Sequence, residues 1–175
     1  VLFYRNVNYS RNTVDIKSDN GVSVRTLTSY LNKYYQIQDK ILLVHREKET
    51  DSWRNRCFFL DEKYNPHIQY THRSVLFNEV VIEYDTEDLK KNKEYVLEIS
   101  KRLKRDNISY SLWFSGNKSY HLHCLIDTKT VGNLPLFKKS FIRYYTDNLP
   151  TPDLRLCAGN HLVRCEYGMH EKTGN

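Results

Sequence analysis

Between residues 78 and 166 the hydrophobic period switches repeatedly between two and about 3.6, and that order constrains the fold more than any other feature of the chain. Asn78-Glu79-Val80-Val81-Ile82-Glu83-Tyr84-Asp85 reads as a strand with acids at its C-terminal end. Thr86-Glu87-Asp88 then opens a helix, because acidic residues in a first turn are favoured by the helix dipole. Leu89, Val96, Ile99 and Leu103 share one face of that helix, and residues 101–105 close it with positive charge. Residues 108–114 and 120–126 alternate as two strands, joined into a hairpin by Ser115-Gly116-Asn117-Lys118. Residues 136–148 predict a second helix with Phe137, Phe141 and Tyr144 as its apolar stripe, and residues 161–166 predict the last strand. Strand, helix, strand, strand, helix, strand is the order of an α+β fold with a ferredoxin-like or RRM-like antiparallel sheet. Its helices lie on one face, which leaves the other for chemistry.

The preceding residues predict an N-terminal α/β extension, with a helix over 24–35, strands over 40–45 and 57–60, and a charged loop over 46–56. There is no repeat, low-complexity tract or Pro/Gly-rich linker, so 175 residues read as a single domain with subregions 1–74 and 75–175. The chain opens on Val-Leu-Phe-Tyr-Arg and stops at Lys172-Thr173-Gly174-Asn175, which reads as a piece excised from a longer protein. No apolar run approaches the length of a membrane span, so no membrane partner is expected. A net charge of +6 permits, without requiring, a partnership with phosphates. Four cysteines without CxxC spacing indicate a reducing, intracellular setting, cytoplasmic or nucleoid-associated. Cys157, His161 and Cys165 have the look of a zinc clip but lack a fourth ligand at suitable spacing.

Three constellations carry the chemistry. In Glu83-Tyr84-Asp85 the two acids share one strand face, roughly 7 Å apart, where carboxylates can share hard divalent cations; the bland alternative is a solvated strand end. In Ser115-Gly116-Asn117-Lys118-Ser119-Tyr120-His121-Leu122-His123, a glycine turn offers backbone N–H groups to an anion. Lys118 adds charge, Ser115 and Ser119 add hydroxyls, and His121 and His123 project from one face. Together these suit a triphosphate, against the alternative of a hairpin with two surface histidines; His123 is the weaker member and would support the site from behind. The third set is Asp153, which would complete a carboxylate trio, with Arg164, His170 and Lys172 as phosphate ligands.

In this order and spacing, residues 75–175 resemble the archaeo-eukaryotic primase superfamily, the catalytic core of primase small subunits and primase-polymerases. Glu83-Tyr84-Asp85 resembles its first motif, an acid pair at a strand end. Ser115-Gly116-Asn117-Lys118 with His121 is similar to its second, and Asp153, Arg164 and His170-Glu171-Lys172-Thr173-Gly174 to its third. The resemblance implies a primase palm and template-dependent nucleotidyl transfer with two divalent ions, Mg2+ or Mn2+, on Glu83, Asp85 and Asp153. The nucleoside triphosphate would lie against Ser115, Gly116, Lys118, Ser119, His121, Arg164, His170 and Lys172. It also implies a single-stranded DNA template and primer, and further domains or subunits such as a helicase or accessory primase domain. The sequence departs from the pattern in Glu83, where Asp is usual, in Ser119, where Gly is frequent, and in Cys165-Glu166-Tyr167-Gly168 after Arg164.

Two other readings stand beside it. The His121-Leu122-His123 strand resembles that of HUH nucleases, in which two histidines bind a metal and a helix tyrosine, here Tyr144 or Tyr145, attacks DNA; the expected Tyr-x-x-Lys is missing. A non-catalytic nucleic-acid-binding module would account for the charge and the 14 tyrosines, but not for three acids arranged with a phosphate turn.

Overall fold

The computed structural model describes residues 22–23, 42–46, 53–58, 69–128, 130–157, 161–166 and 173. They belong to two compact units, one drawn from Arg11–Phe77 and Leu162–Asn175, the other from Asn78–His161. The expected helix over 24–35 lies outside the described residues.

The first unit contains strands β1 (Val22–Ser23), β2 (Leu42–Arg46), β3 (Trp53–Phe58), β4 (Gln69–Tyr70) and β5 (His72–Ser74). The second contains β6 (Glu79–Tyr84), helix α1 (Leu89–Arg105), β7 (Tyr110–Phe114), β8 (Tyr120–Leu125), helix α2 (Leu134–Tyr145) and a 3-10 turn at Leu154–Cys157. The chain then returns to the first unit with β9 (Leu162–Arg164).

In the first unit β1 pairs with β4, and β3-β2-β5-β9 form an antiparallel sheet. Residues 53–56, expected as loop, are strand. They pair antiparallel with β2, and among the described residues β3 is the edge of that sheet. β9, expected as the last strand of the ferredoxin-like sheet, runs antiparallel to β5 in the first unit, with His72 opposite Arg164 and Ser74 opposite Leu162. Cys165 N–H extends the ladder to the Thr71 carbonyl at 2.9 Å. The fully buried Arg73 then clamps Glu166 through two guanidinium nitrogens, one of them Nε at 2.9 Å. Backbone ladder and bidentate ion pair thus fix β9 in this sheet.

Among the described residues the second unit has a three-stranded sheet, β6-β8-β7, with β8 central. Val80, Ile82 and Tyr84 alternate onto one face with Leu122 and Cys124. Val96, Ile99 and Leu103 of α1 and Phe141, Ile142 and Tyr145 of α2 pack over them. Burying each large aliphatic side chain contributes about 1.5–3 kcal/mol, which is what holds both helices to that face. Helix α1 starts after its acidic run rather than within it: Asp88 is the N-cap, its carboxylate accepting from Lys91 N–H at 3.0 Å, and Arg102, Lys104 and Arg105 meet the negative end of the dipole.

Two stripes differ from expectation. Leu89 is 39% exposed, and Asn92, one turn before Val96, is buried in its place. On α2 the buried set is Lys138, Phe141, Ile142 and Tyr145, with Tyr144 turned to solvent. Ile142 and Tyr145 follow Lys138 at i+4 and i+7, a 3.6-residue row that excludes Tyr144. No helix among the described residues is long and apolar enough to cross a membrane.

Candidate functional site

The sheet face opposite α1 and α2 in the second unit carries the side chains that alternate with the core. On β6 these are Glu79, Val81 and Glu83; on β8, His121 and His123; on β7, Ser111 and Trp113. Glu83 stands directly opposite His121, and Val81 opposite His123. Tyr84 points the other way, into the core, where its hydroxyl donates to the Pro150 carbonyl at 2.6 Å.

His121 Nε2 lies 3.1 Å from Glu83 Oε1 and 2.9 Å from Ser119 Oγ. A carboxylate only accepts, so Nε2 carries the proton. Burial pushes the Glu83 carboxyl up, but the hydrogen bond and charge of His121 and the Ser119 hydroxyl outweigh it, leaving the group below the usual carboxylate range. Asp85 behaves oppositely. Partial burial and the Glu83 charge raise it, and Lys118, 3.7 Å away, only partly offsets them.

Asp153 sits at the entry to the 3-10 turn and is held in an Asx turn by Arg155: the backbone N–H donates at 2.9 Å, Nε at 2.9 and 3.0 Å, and Nη2 at 2.7 Å. These bonds hold its carboxyl below the usual range. Its charge acts weakly on Glu83, which it pushes upward, while Glu83 and Asp85 act directly on one another.

The turn between β7 and β8 is closed by Ser115 N–H to the Ser119 carbonyl at 3.0 Å and by Ser119 N–H to Ser115 Oγ at 3.2 Å. Gly116 has φ 89°, a left-handed conformation that favours glycine. Lys118 Nζ bonds Glu87 Oε1 at 2.6 Å and so is turned to the acids, whose charges raise its pKa.

The second unit thus carries Glu83, Asp85, Asp153, Ser115, Gly116, Lys118, Ser119 and His121: contacts join Glu83 to His121 and Ser119, and Asp85 to Lys118, whereas Asp153 is paired with Arg155. Arg164 belongs to β9 of the other unit, and His170 and Lys172 lie outside the described residues. His123 is deeper than a surface histidine: it is 2% exposed, with Nδ1 2.8 Å from Glu79 Oε1. Burial pushes the Cys157 and Cys165 thiols up, so both pack into the interior as neutral groups.

Sequence reasoning missed Arg155, Glu87 and Asn92. Asp153-Leu154-Arg155 is a local acid–base pair that invites an Asx turn. Asn92 was detectable as a polar residue on the apolar row with Val96, Ile99 and Leu103. No family model, curated protein or solved structure matches the chain.

Proposed function

We propose that the protein is a template-dependent nucleotidyltransferase of the primase-polymerase type. Its second unit would be the palm, with the acid-ended β6 followed by α1 and the β7–β8 hairpin followed by α2. The observation that carries the reading is the contact between the acid end of β6 and the Ser115–Ser119 turn: Glu83 meets His121, which holds Ser119, and Asp85 lies 3.7 Å from Lys118.

Carboxylates are the donor type that hard divalent cations such as Mg2+ or Mn2+ take, and added positive charge would oppose both the burial and the Glu83 charge that raise Asp85. Glu83, Asp85 and Asp153 would hold two such ions, which when bound activate the attacking hydroxyl and neutralise the leaving pyrophosphate. His121 and Ser119 hold Glu83 ionised and oriented. The turn's N–H groups and Lys118 suit the triphosphate, with Lys118 exchanging its exposed pairing to Glu87 and Asp85 for phosphate oxygens. The nucleophile is the hydroxyl of a primer or of a second nucleotide, and the chain contributes positioning and charge.

The test is to incubate the protein with a single-stranded template, labelled ribo- or deoxynucleoside triphosphates, and Mg2+ or Mn2+. Short products whose composition follows the template are expected. Their absence with both metals and both nucleotide types would overturn the reading.

A further inference from the structure

Asn92 is 0% exposed and occupies the first position of a helical row that is otherwise Val96, Ile99 and Leu103. A leucine there would suit the core; an amide is costly unless every hydrogen-bonding site is filled. Here each is. Oδ1 accepts from Thr86 N–H at 3.3 Å and from Thr86 Oγ1 at 2.6 Å, while Nδ2 donates to the Thr86 carbonyl at 2.8 Å and to the Lys118 carbonyl at 2.8 Å. Thr86 follows Asp85 directly, and Lys118 lies inside the Ser115–Ser119 turn. One buried side chain thus ties the segment bearing the acids to the segment read as the phosphate turn.

That tie differs in kind from the ion pairs that Lys118 makes between these segments. Lys118 Nζ also bridges them, through Asp85 and Glu87, but its side chain is the group that must turn to a phosphate, and the bridge then opens. The amide grips the Lys118 carbonyl and leaves the ammonium free to move. It is anchored in turn by α1, through Asn92 N–H to the Asp88 carbonyl at 3.0 Å.

We propose that Asn92 is a positioning residue that fixes the Ser115–Ser119 turn against the acid end of β6, so that divalent cations on the acids and a triphosphate on the turn bind cooperatively. The inference rests on the nucleotidyltransferase reading and adds to it a specific coupling element. Each half of the site keeps its own ligands when the amide is lost; what disappears is the fixed spacing between them.

The experiment measures binding of a fluorescent adenosine triphosphate analogue with a non-cleavable α,β bridge, with and without Mn2+, and binding of Mn2+ alone by electron paramagnetic resonance. In the unaltered chain Mn2+ should tighten the analogue by about tenfold or more, within the usual range of coupling between sites. In Asn92→Leu the tightening should fall below about threefold, while the affinity for Mn2+ alone is kept. A variant that melts earlier but keeps the full tightening would show a structural role only, and would overturn the inference. Should Asn92→Leu not fold, Thr86→Val, which removes one bond to Asn92 Oδ1, is read the same way; an unchanged ratio overturns the inference. If the unaltered chain shows no Mn2+-dependent binding, the nucleotidyltransferase reading itself falls, whatever the variants do.

Discussion

Two histidine–carboxylate pairs cross from β8 to β6 on the same sheet face, and they live in different surroundings. Glu83 and His121 lie at the outer end, 3.1 Å apart, with side chains 19% and 7% exposed. Glu79 and His123 lie farther along the strands, 2.8 Å apart, with side chains 0% and 1% exposed. The two imidazoles stack with centroids 5.9 Å apart. The outer pair adds Ser119 and has the ion pair of Asp85 and Lys118 near it, both groups at least partly open to water. Groups held by exposed ion pairs can trade partners at little cost, whereas breaking a fully buried pair strands a charge. The same side-chain chemistry thus divides along the strands into a pair partly open to water and a pair closed to it.

The largest expected effect sharpens that division. Asp85→Ala should lower nucleotide incorporation by about a hundredfold or more, the scale of losing one group that stabilises developing charge, without lowering the melting temperature. Incorporation that survives it would remove the outer end from the chemistry. Next in size is a contrast between the histidines. His121→Ala should weaken triphosphate binding about tenfold, as for loss of a charge-assisted hydrogen bond, and leave the fold intact. His123→Ala should destabilise by about 1–3 kcal/mol, because Glu79 remains buried with a partner removed, and should alter nucleotide affinity little. Calorimetric melting and analogue titration on both variants check this; the reverse pattern would break the comparison.

Some of this was legible in the sequence for simple reasons. A period of two in residues 80–84 is enough to send Tyr84 inward and Glu83 outward, and the Gly116 turn between two alternating runs is enough for a hairpin. The choice of partner for residues 162–164 was not legible. Alternation describes a strand's two faces and is silent about its edges, and residues 72–74 are too short a run to announce the strand that captures it. The Asn92 latch was hidden because an apolar-stripe argument passes over a polar residue on the stripe. The rotation of α2 was hidden because Tyr144 and Tyr145 are chemically identical and only the 3.6-residue phase distinguishes them. The places of His170 and Lys172 lie outside the described residues.

A smaller effect tests the acids against one another through pH. The Glu83 carboxyl is held below its ordinary value, so its contribution to stability is present above the unfolded pKa near 4.5 and is lost as pH falls through the folded value. Asp85 is held above its ordinary 3.8; ionising it opposes folding, a penalty absent in acid and complete above the folded pKa. Glu83→Gln should therefore melt earlier than the unaltered chain at neutral pH, and Asp85→Asn slightly later, with both differences closing in acid. Melting curves from about pH 3 to about pH 7 would show it. Differences of one sign for both variants would contradict the opposed surroundings described for the two carboxyls.

The smallest effects belong to the helix tyrosines, and they separate the proposed polymerase from a nuclease with a tyrosine nucleophile. Tyr145 packs into the core with Leu122 and Cys124, residues that alternate with His121 and His123 and therefore face the opposite side of the sheet. Its hydroxyl donates to Asp106 Oδ2 at 3.0 Å, and burial together with that carboxylate pushes its pKa up, away from the phenolate that attack on DNA would need. Tyr144 is 64% exposed on the same helix, edge-on to Tyr145. Tyr145→Phe should cost about 1 kcal/mol, one hydrogen bond, and Tyr144→Phe should be silent in melting experiments. Both should incorporate nucleotides as the unaltered chain does, with no covalent protein–DNA species on denaturing gels. Strand cleavage abolished by either substitution would move the chemistry to the helix side of the sheet, and the distinction between inner and outer histidines would then have to be explained by metal binding for a nuclease.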